Sequence, residues 1–126
     1  MKTIINTKNA PEPLGPYNQA VLSNDTLYLS GQIAINPETG VLVSDTIKSE
    51  THQVMKNLEA VLNAANFAFS HVVKASIFIS NMDNFAVINE VYGSYFDDAT
   101  APARETVEVS KLPKNVNVEI SMIAVK

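Results

Sequence analysis

There is no cysteine among the 126 residues, which excludes disulfides and thiolate metal sites outright. No apolar run approaches the roughly 20 residues needed to cross a bilayer. The opening stretch MKTIINTKNAPEPLG lacks the unbroken apolar core of a signal peptide. A soluble, cytoplasmic protein with no membrane contact is the expectation. Positive charge is not concentrated anywhere: the formal net charge is −4 and the lysines are scattered. Phosphate backbones would be repelled, so no nucleic-acid partner is expected. There is no Walker loop, no GxGxxG and no GxSxG. The two histidines, His52 and His71, stand far apart with no partner at metal-ligand or triad spacing, so both are expected to be structural or solvated. Glycine and proline are few, and with 46% hydrophobic and 17% charged residues the chain reads as one folded domain spanning residues 1–126.

What is present is a succession of short strands and two helices. Lys2–Ile5 and Gln19–Leu22 are apolar runs expected to be strands, separated by a loop, APEPLGPY, that three prolines stiffen. Thr26–Asn36 alternates and then breaks at Gly31, which predicts a bulge or a close backbone approach. Asn36–Gly40 reads as a tight turn into Val41–Val43. From Thr46 to Asn66 the period becomes helical: Ile47, Val54, Met55, Leu58, Val61, Leu62 and Ala65 share a stripe, with Lys48, Glu50, Lys56 and Glu59 opposite. Val72–Ile79 is a β-branched strand. Asp83 is the expected N-cap of a second helix whose apolar face is Phe85, Ile88, Val91, Tyr92 and Tyr95. Glu105–Ser110 and Val116–Val125 are the last strands, with a turn at Leu112–Asn115 between them. This order predicts an α+β fold, one sheet with both helices packed on one face. In the last strand Val118, Ile120, Met122 and Ala124 point one way, while Ile123 and Val125 point the other, beside Asn117, Glu119 and Ser121. Two helices cover only one face, so self-association is expected to bury the second.

Arg104 is the only arginine; the other eight basic residues are lysines. Ala101-Pro102-Ala103 precedes it and a strand follows, which fixes its exit direction. Its planar, permanently charged guanidinium matches a carboxylate with two parallel hydrogen bonds. A salt bridge or an ordinary surface position is the competing reading. Glu119 lies mid-strand between Val118 and Ile120, where partial shielding would raise its pKa and suit it to take a proton from water. A solvent-facing edge residue, or a simple partner for Arg104, is the alternative. Glu105, Glu108 and Asp97-Asp98 read as solvated, and Tyr92, Tyr95 and Phe96 as core or interface material.

Gly15-Pro16-Tyr17-Asn18-Gln19-Ala20, Ser30-Gly31-Gln32-Ile33, Asn89-Glu90-Val91-Tyr92, Pro102-Ala103-Arg104, Leu112-Pro113, Val118-Glu119-Ile120 and Ile123-Ala124-Val125 occur together in order. As a set they resemble the RidA (YjgF) family of imine deaminases over nearly the whole chain. The resemblance implies a chorismate-mutase-like α+β subunit, three copies closing a barrel, and an active site at each subunit interface. It implies hydrolysis of 2-iminobutanoate and 2-iminopropanoate to keto acids and ammonia, with no cofactor and no metal. It also implies that Arg104 binds the substrate carboxylate, that Glu119 orients or activates the attacking water, and that Tyr17, Ser30, Gly31, Asn89 and Thr106 line the pocket. Thr106 stands where many members have cysteine, Ser121 replaces a frequent glutamate, and the 97–101 loop is short, features that bear on substrate preference. Three rival readings remain: a sensor of small carboxylates on the same fold, an endoribonuclease or translation inhibitor, and a holdase.

Overall fold

The computed structural model describes residues 1–126. In chain order the elements are β1 (Lys2–Ile5), β2 (Ala20–Ser23), β3 (Thr26–Gln32), α1 (Ile47–Ala64), β4 (Val72–Ile79), α2 (Phe85–Gly93), β5 (Ala103–Glu108) and β6 (Val118–Val125). The strands form one six-stranded mixed sheet in the order β1-β2-β3-β6-β4-β5. Every neighbouring pair is antiparallel except β4 and β5, which run parallel because α2 carries the chain back across the sheet between them.

Period-two alternation sorts the sheet into a covered and an open face. Leu27, Leu29, Ala75, Ile77, Ile79, Val118, Ile120, Met122 and Ala124 are all buried and form one core with the helices. Helix α1 contributes Val54, Met55, Leu58, Val61 and Leu62, and α2 contributes Ile88 and Tyr92. The other face has no such cover: Ile4, Tyr28, Val107 and Val125 remain exposed across it. No helix is long and apolar enough to cross a membrane.

Helix α1 begins where Thr46 Oγ1 accepts the Ser49 N–H at 3.0 Å. It ends where Asn66 adopts φ 63°, with Phe67 N–H donating to the Leu62 carbonyl and Asn66 N–H to that of Asn63, a closure that satisfies two terminal carbonyls. Four details differ from the sequence reading. Glu50 is not on a solvated face but 1% exposed, where its carboxylate accepts both the backbone and side-chain N–H groups of Asn117 at 2.8 Å. Asp83 does not cap α2; Asn81 accepts the Asp83 N–H and starts a single 3-10 turn, Met82–Asn84, from which α2 continues. Tyr95 lies beyond the end of α2 and accounts for His52, whose Nδ1 is 2.9 Å from the Tyr95 hydroxyl. Strand β5 begins at Ala103, because its parallel register with β4 starts at Lys74, so Arg104 lies inside the strand instead of ahead of it.

Candidate functional site: two half-sites on opposite faces

The first half-site is built on β5 and α2. Arg104 and Thr106 stand opposite Ala75 and Ile77 of β4, both buried beneath the helices, so they project toward the helix layer. There the Arg104 Nη1 donates to Asn89 Oδ1 at 2.6 Å. Its guanidinium carbon lies 5.2 Å from the Tyr92 ring centroid and 5.9 Å from that of Phe85. Phe85, Asn89 and Tyr92 follow one another at helical spacing, so a single stripe of α2 holds the arginine. None of the three is charged. The one ion pair in the chain is Lys74–Glu105 at 2.9 Å, on the other side of the sheet. Arg104 is therefore not part of a salt bridge: it is exposed, its charge is uncompensated, and its remaining N–H edges are free for a planar anion. The hydroxyls of Thr106 and Tyr92 are shielded from water and have no partner. Burial pushes the Tyr92 phenol up to about 12, the Arg104 charge pulling weakly the other way, so it stays protonated.

The second half-site is built on β3, β6 and the proline-rich loop. Leu29 pairs with Met122 and Gln32 with Ile120, so Ser30 and Gly31 together stand against Ser121 alone. This is the bulge that Gly31 predicts. It brings the glycine directly over Glu119: a Cβ at Gly31 would lie 2.9 Å from the Glu119 Cδ, closer than real contacts allow. Glu119 itself alternates with buried Val118 and Ile120, and so projects from the open face. It is half-buried, and that burial pushes its carboxyl above the ordinary carboxylate value. A cavity of about 260 Å³ extends from it, walled by Pro11, Leu14, Tyr17, Gly31 and Ile33. The Tyr17 hydroxyl accepts the Leu14 N–H at 3.4 Å, which turns the ring back onto its own loop. The Ser30 hydroxyl donates to the Asn18 carbonyl at 2.6 Å and ties the bulge to the loop. A larger hollow of about 420 Å³ adjoins this cavity through shared residues such as Pro11 and Leu14, but holds none of the predicted site residues.

Two contributors escape the sequence reading. Gln19 is 2% exposed and donates to the carbonyls of Thr7, Ala10 and Pro11, while accepting the Thr7 N–H at 2.6 Å. It therefore shapes the loop that walls the cavity. The available signal is a glutamine opening an otherwise apolar run beside three prolines. The aromatic rest for Arg104 on Phe85 and Tyr92 is the other; their spacing marks an apolar helix face but not that an arginine lies on it. No three His, Asp or Glu side chains converge where a metal ion could be held.

Within one chain the two half-sites do not meet. Arg104 aligns through Ala75 with Met122, two strands away from Glu119 in the lateral direction and three residues along. With strand spacing of about 4.8 Å and a rise of about 3.3 Å per residue, their Cα atoms lie roughly 14 Å apart. Their side chains leave opposite faces of the sheet. Glu119 is thus not the partner of Arg104 in its own chain.

Comparison with known proteins identifies the family. Residues 7–126 match the family model described as Endoribonuclease L-PSP. A RutC family protein of Pyrococcus horikoshii is 47% identical over all of this chain and 99% of its own length. A chloroplast protein of Arabidopsis thaliana named Reactive Intermediate Deaminase A is 42% identical over 98% of this chain and 65% of its own. The crystal structure of E. coli TdcF with bound serine superposes with a TM-score of 0.92 at 37% identity, covering 98% of each chain. Fold and sequence thus agree along nearly the entire chain, and it belongs to the Endoribonuclease L-PSP family, the RidA (YjgF) family, which includes reactive-intermediate deaminases.

Proposed function

We propose that this protein hydrolyses short 2-imino acids and their enamine tautomers, such as 2-iminobutanoate and 2-iminopropanoate, to 2-keto acids and ammonia. It does so as a cytoplasmic homotrimer with no cofactor, each site lying between the Arg104 half-site of one subunit and the Glu119 half-site of the next. The observation that carries this reading is Arg104 itself: a fixed cation with no carboxylate partner, held only by neutral groups. Such a group binds an anion with a planar head. The apolar residues left exposed on the open face, Ile4, Tyr28, Val107 and Val125, support the assembly, because three copies packed in a ring would cover them and bring the two half-sites together. The relatives support the chemistry, one being named a deaminase and another solved with an amino acid bound.

The chemistry asks little of the protein. Arg104 holds the substrate carboxylate and fixes the adjacent imine carbon before Glu119 of the neighbouring subunit. With the imine nitrogen protonated, the Glu119 carboxylate takes a proton from water as the oxygen bonds to the iminium carbon, giving a neutral carbinolamine. That proton then passes from Glu119 to nitrogen, the C–N bond breaks as ammonia leaves, and the carbinol hydroxyl returns its proton to the Glu119 carboxylate as the carbonyl forms. Positioning together with one base of suitable pKa accounts for a useful acceleration of a reaction that proceeds unaided.

The test couples a threonine dehydratase to this protein and follows 2-ketobutyrate release. A clear acceleration over the dehydratase alone is expected. No acceleration by a folded oligomer that still binds 2-ketobutyrate would replace the enzyme with a carboxylate sensor, the one rival that Arg104 alone also satisfies. The same assay reads Gly31→Ala: the added methyl displaces the Glu119 carboxylate, and turnover is expected to fall by about tenfold or more while the oligomer remains folded. Unchanged turnover would remove Glu119 as the base.

A further inference from the structure

Tyr92 is 4% exposed, has a hydroxyl with no hydrogen-bond partner, and lies with its ring against the one unpaired arginine of the chain. Phe85 flanks the same guanidinium, and Asn89 between them takes one of its N–H groups. A buried phenol without a partner is costly, and phenylalanine would fill the same space without that cost. What the position uses is therefore the ring. An aromatic face attracts a guanidinium through its quadrupole. Unlike a carboxylate, it does not occupy the in-plane N–H edges that make bidentate contacts. An acidic residue at the same place would hold the arginine more strongly and neutralise it, leaving nothing for a ligand. Asn89 uses a single N–H, so the rest of the fork stays open.

We infer that Tyr92, seconded by Phe85, is a positioning residue for carboxylate recognition: an aromatic bracket that aims the Arg104 fork without competing with the anion it is to bind. This inference rests on the reading of Arg104 as the carboxylate clamp. A guanidinium suits this bracket better than a compact ammonium, because it can rest against an aromatic ring and still present two parallel donors. Tyr92 acts through the Arg104–carboxylate contact, which substrate and transition state share, so its loss is expected in binding more than in the chemical step.

The experiment measures binding of 2-ketobutyrate to the intact oligomer by calorimetry, alongside kcat and KM for imine hydrolysis. Tyr92→Phe keeps the ring and is expected to bind within about twofold of wild type, with equal or higher thermal stability. Tyr92→Leu removes the ring and is expected to weaken binding about fivefold, an exposed cation–π contact's share. KM should rise in step, while kcat and the acid limb of the pH profile stay in place; a general packing defect would lower kcat as well. Should Tyr92→Leu fail to fold, fluorinated phenylalanines placed at 92 supply the second measurement. They keep the shape and drain the ring's negative face, so affinity should fall stepwise with fluorine count. Wild-type affinity in Tyr92→Leu, or no trend with fluorination, overturns the bracket. If the wild-type oligomer does not bind 2-ketobutyrate at all, the carboxylate clamp is wrong and the bracket falls with it.

Discussion

Oligomers made only of Arg104→Ala subunits, and oligomers made only of Glu119→Ala subunits, are each expected to lose about a hundredfold or more in imine hydrolysis. Equal amounts of the two, assembled together, should recover about a quarter of the wild-type rate. The recovery follows from the geometry. Arg104 leaves the helix-covered face of β5 and Glu119 leaves the open face of β6, so the proposed site would draw one group from each of two neighbours. With random assembly, a site is intact when the arginine-donating subunit carries Glu119→Ala and the glutamate-donating subunit carries Arg104→Ala. Each condition is met about half the time, and both are met about a quarter of the time, for any closed ring. The control is decisive: mixing Arg104→Ala subunits with subunits carrying both substitutions must restore nothing. Zero recovery in the first mixture, with heteromers demonstrated by mass, would mean that the two groups serve one chain or that one of them serves none. Full activity of pure Arg104→Ala would dispose of the clamp directly.

The division between faces was partly legible before any coordinates. Alternation in β6 already separates Val118, Ile120, Met122 and Ala124 from Glu119 and Ser121, because side-chain direction in a strand is set by residue parity. The same parity argument cannot place Arg104, since the face it takes depends on which strand β5 pairs with and in what register. That information lies in the parallel alignment with β4, starting at Lys74 and Ala103, and no local pattern encodes it. Gly31 is the opposite case: a lone glycine in an alternating run signals a bulge by itself, and the bulge is there. Sequence and structure part company where polar groups are buried by distant contacts. Glu50 sits on the charged stripe of α1 by period, yet Asn117, 67 residues away in sequence, covers it and satisfies both its oxygens. Gln19 is hidden for the same reason, as its partners are carbonyls of a loop whose path it determines. Residue type alone favours Asp83 as a cap, whereas Asn81 takes that role two residues earlier through a 3-10 turn that the apolar pattern does not register. Local propensity and period thus locate the elements, and long-range pairing decides which polar side chains become a site.

Replacing Glu119 with glutamine should make the protein more stable at pH 7 and nearly inactive, and the gain in stability should disappear in acid. Burial raises the Glu119 pKa, so between its ordinary and its raised value the folded chain holds a proton that the unfolded chain has released. The stability linked to that proton is fully present below the ordinary carboxylate value and is lost as pH rises through the folded value. At neutral pH the ionised carboxylate therefore weakens the fold. Glutamine keeps the shape beneath Gly31 and carries no charge, which relieves that cost. The thermal midpoint of Glu119→Gln should exceed that of wild type at pH 7, with the difference shrinking as pH falls through the same window and vanishing below it. Protein concentration must be held fixed, because subunit dissociation contributes to the midpoint. Assembly would bury Glu119 further and enlarge the effect, so the intact oligomer is the sample to use. Turnover runs the other way. An amide cannot accept the proton from water, and the rate should fall by about a hundredfold or more. In wild type, the same raised pKa should appear as an acid limb in kcat, with its midpoint above that of a solvated carboxylate. A glutamine variant that is less stable than wild type at pH 7 would mean that the carboxylate is held by partners instead of being merely desolvated. Retained turnover would leave the raised pKa without a catalytic purpose. Higher stability together with lost turnover is the combination expected of a carboxylate kept half-buried for its basicity, at a cost to the fold that glutamine removes.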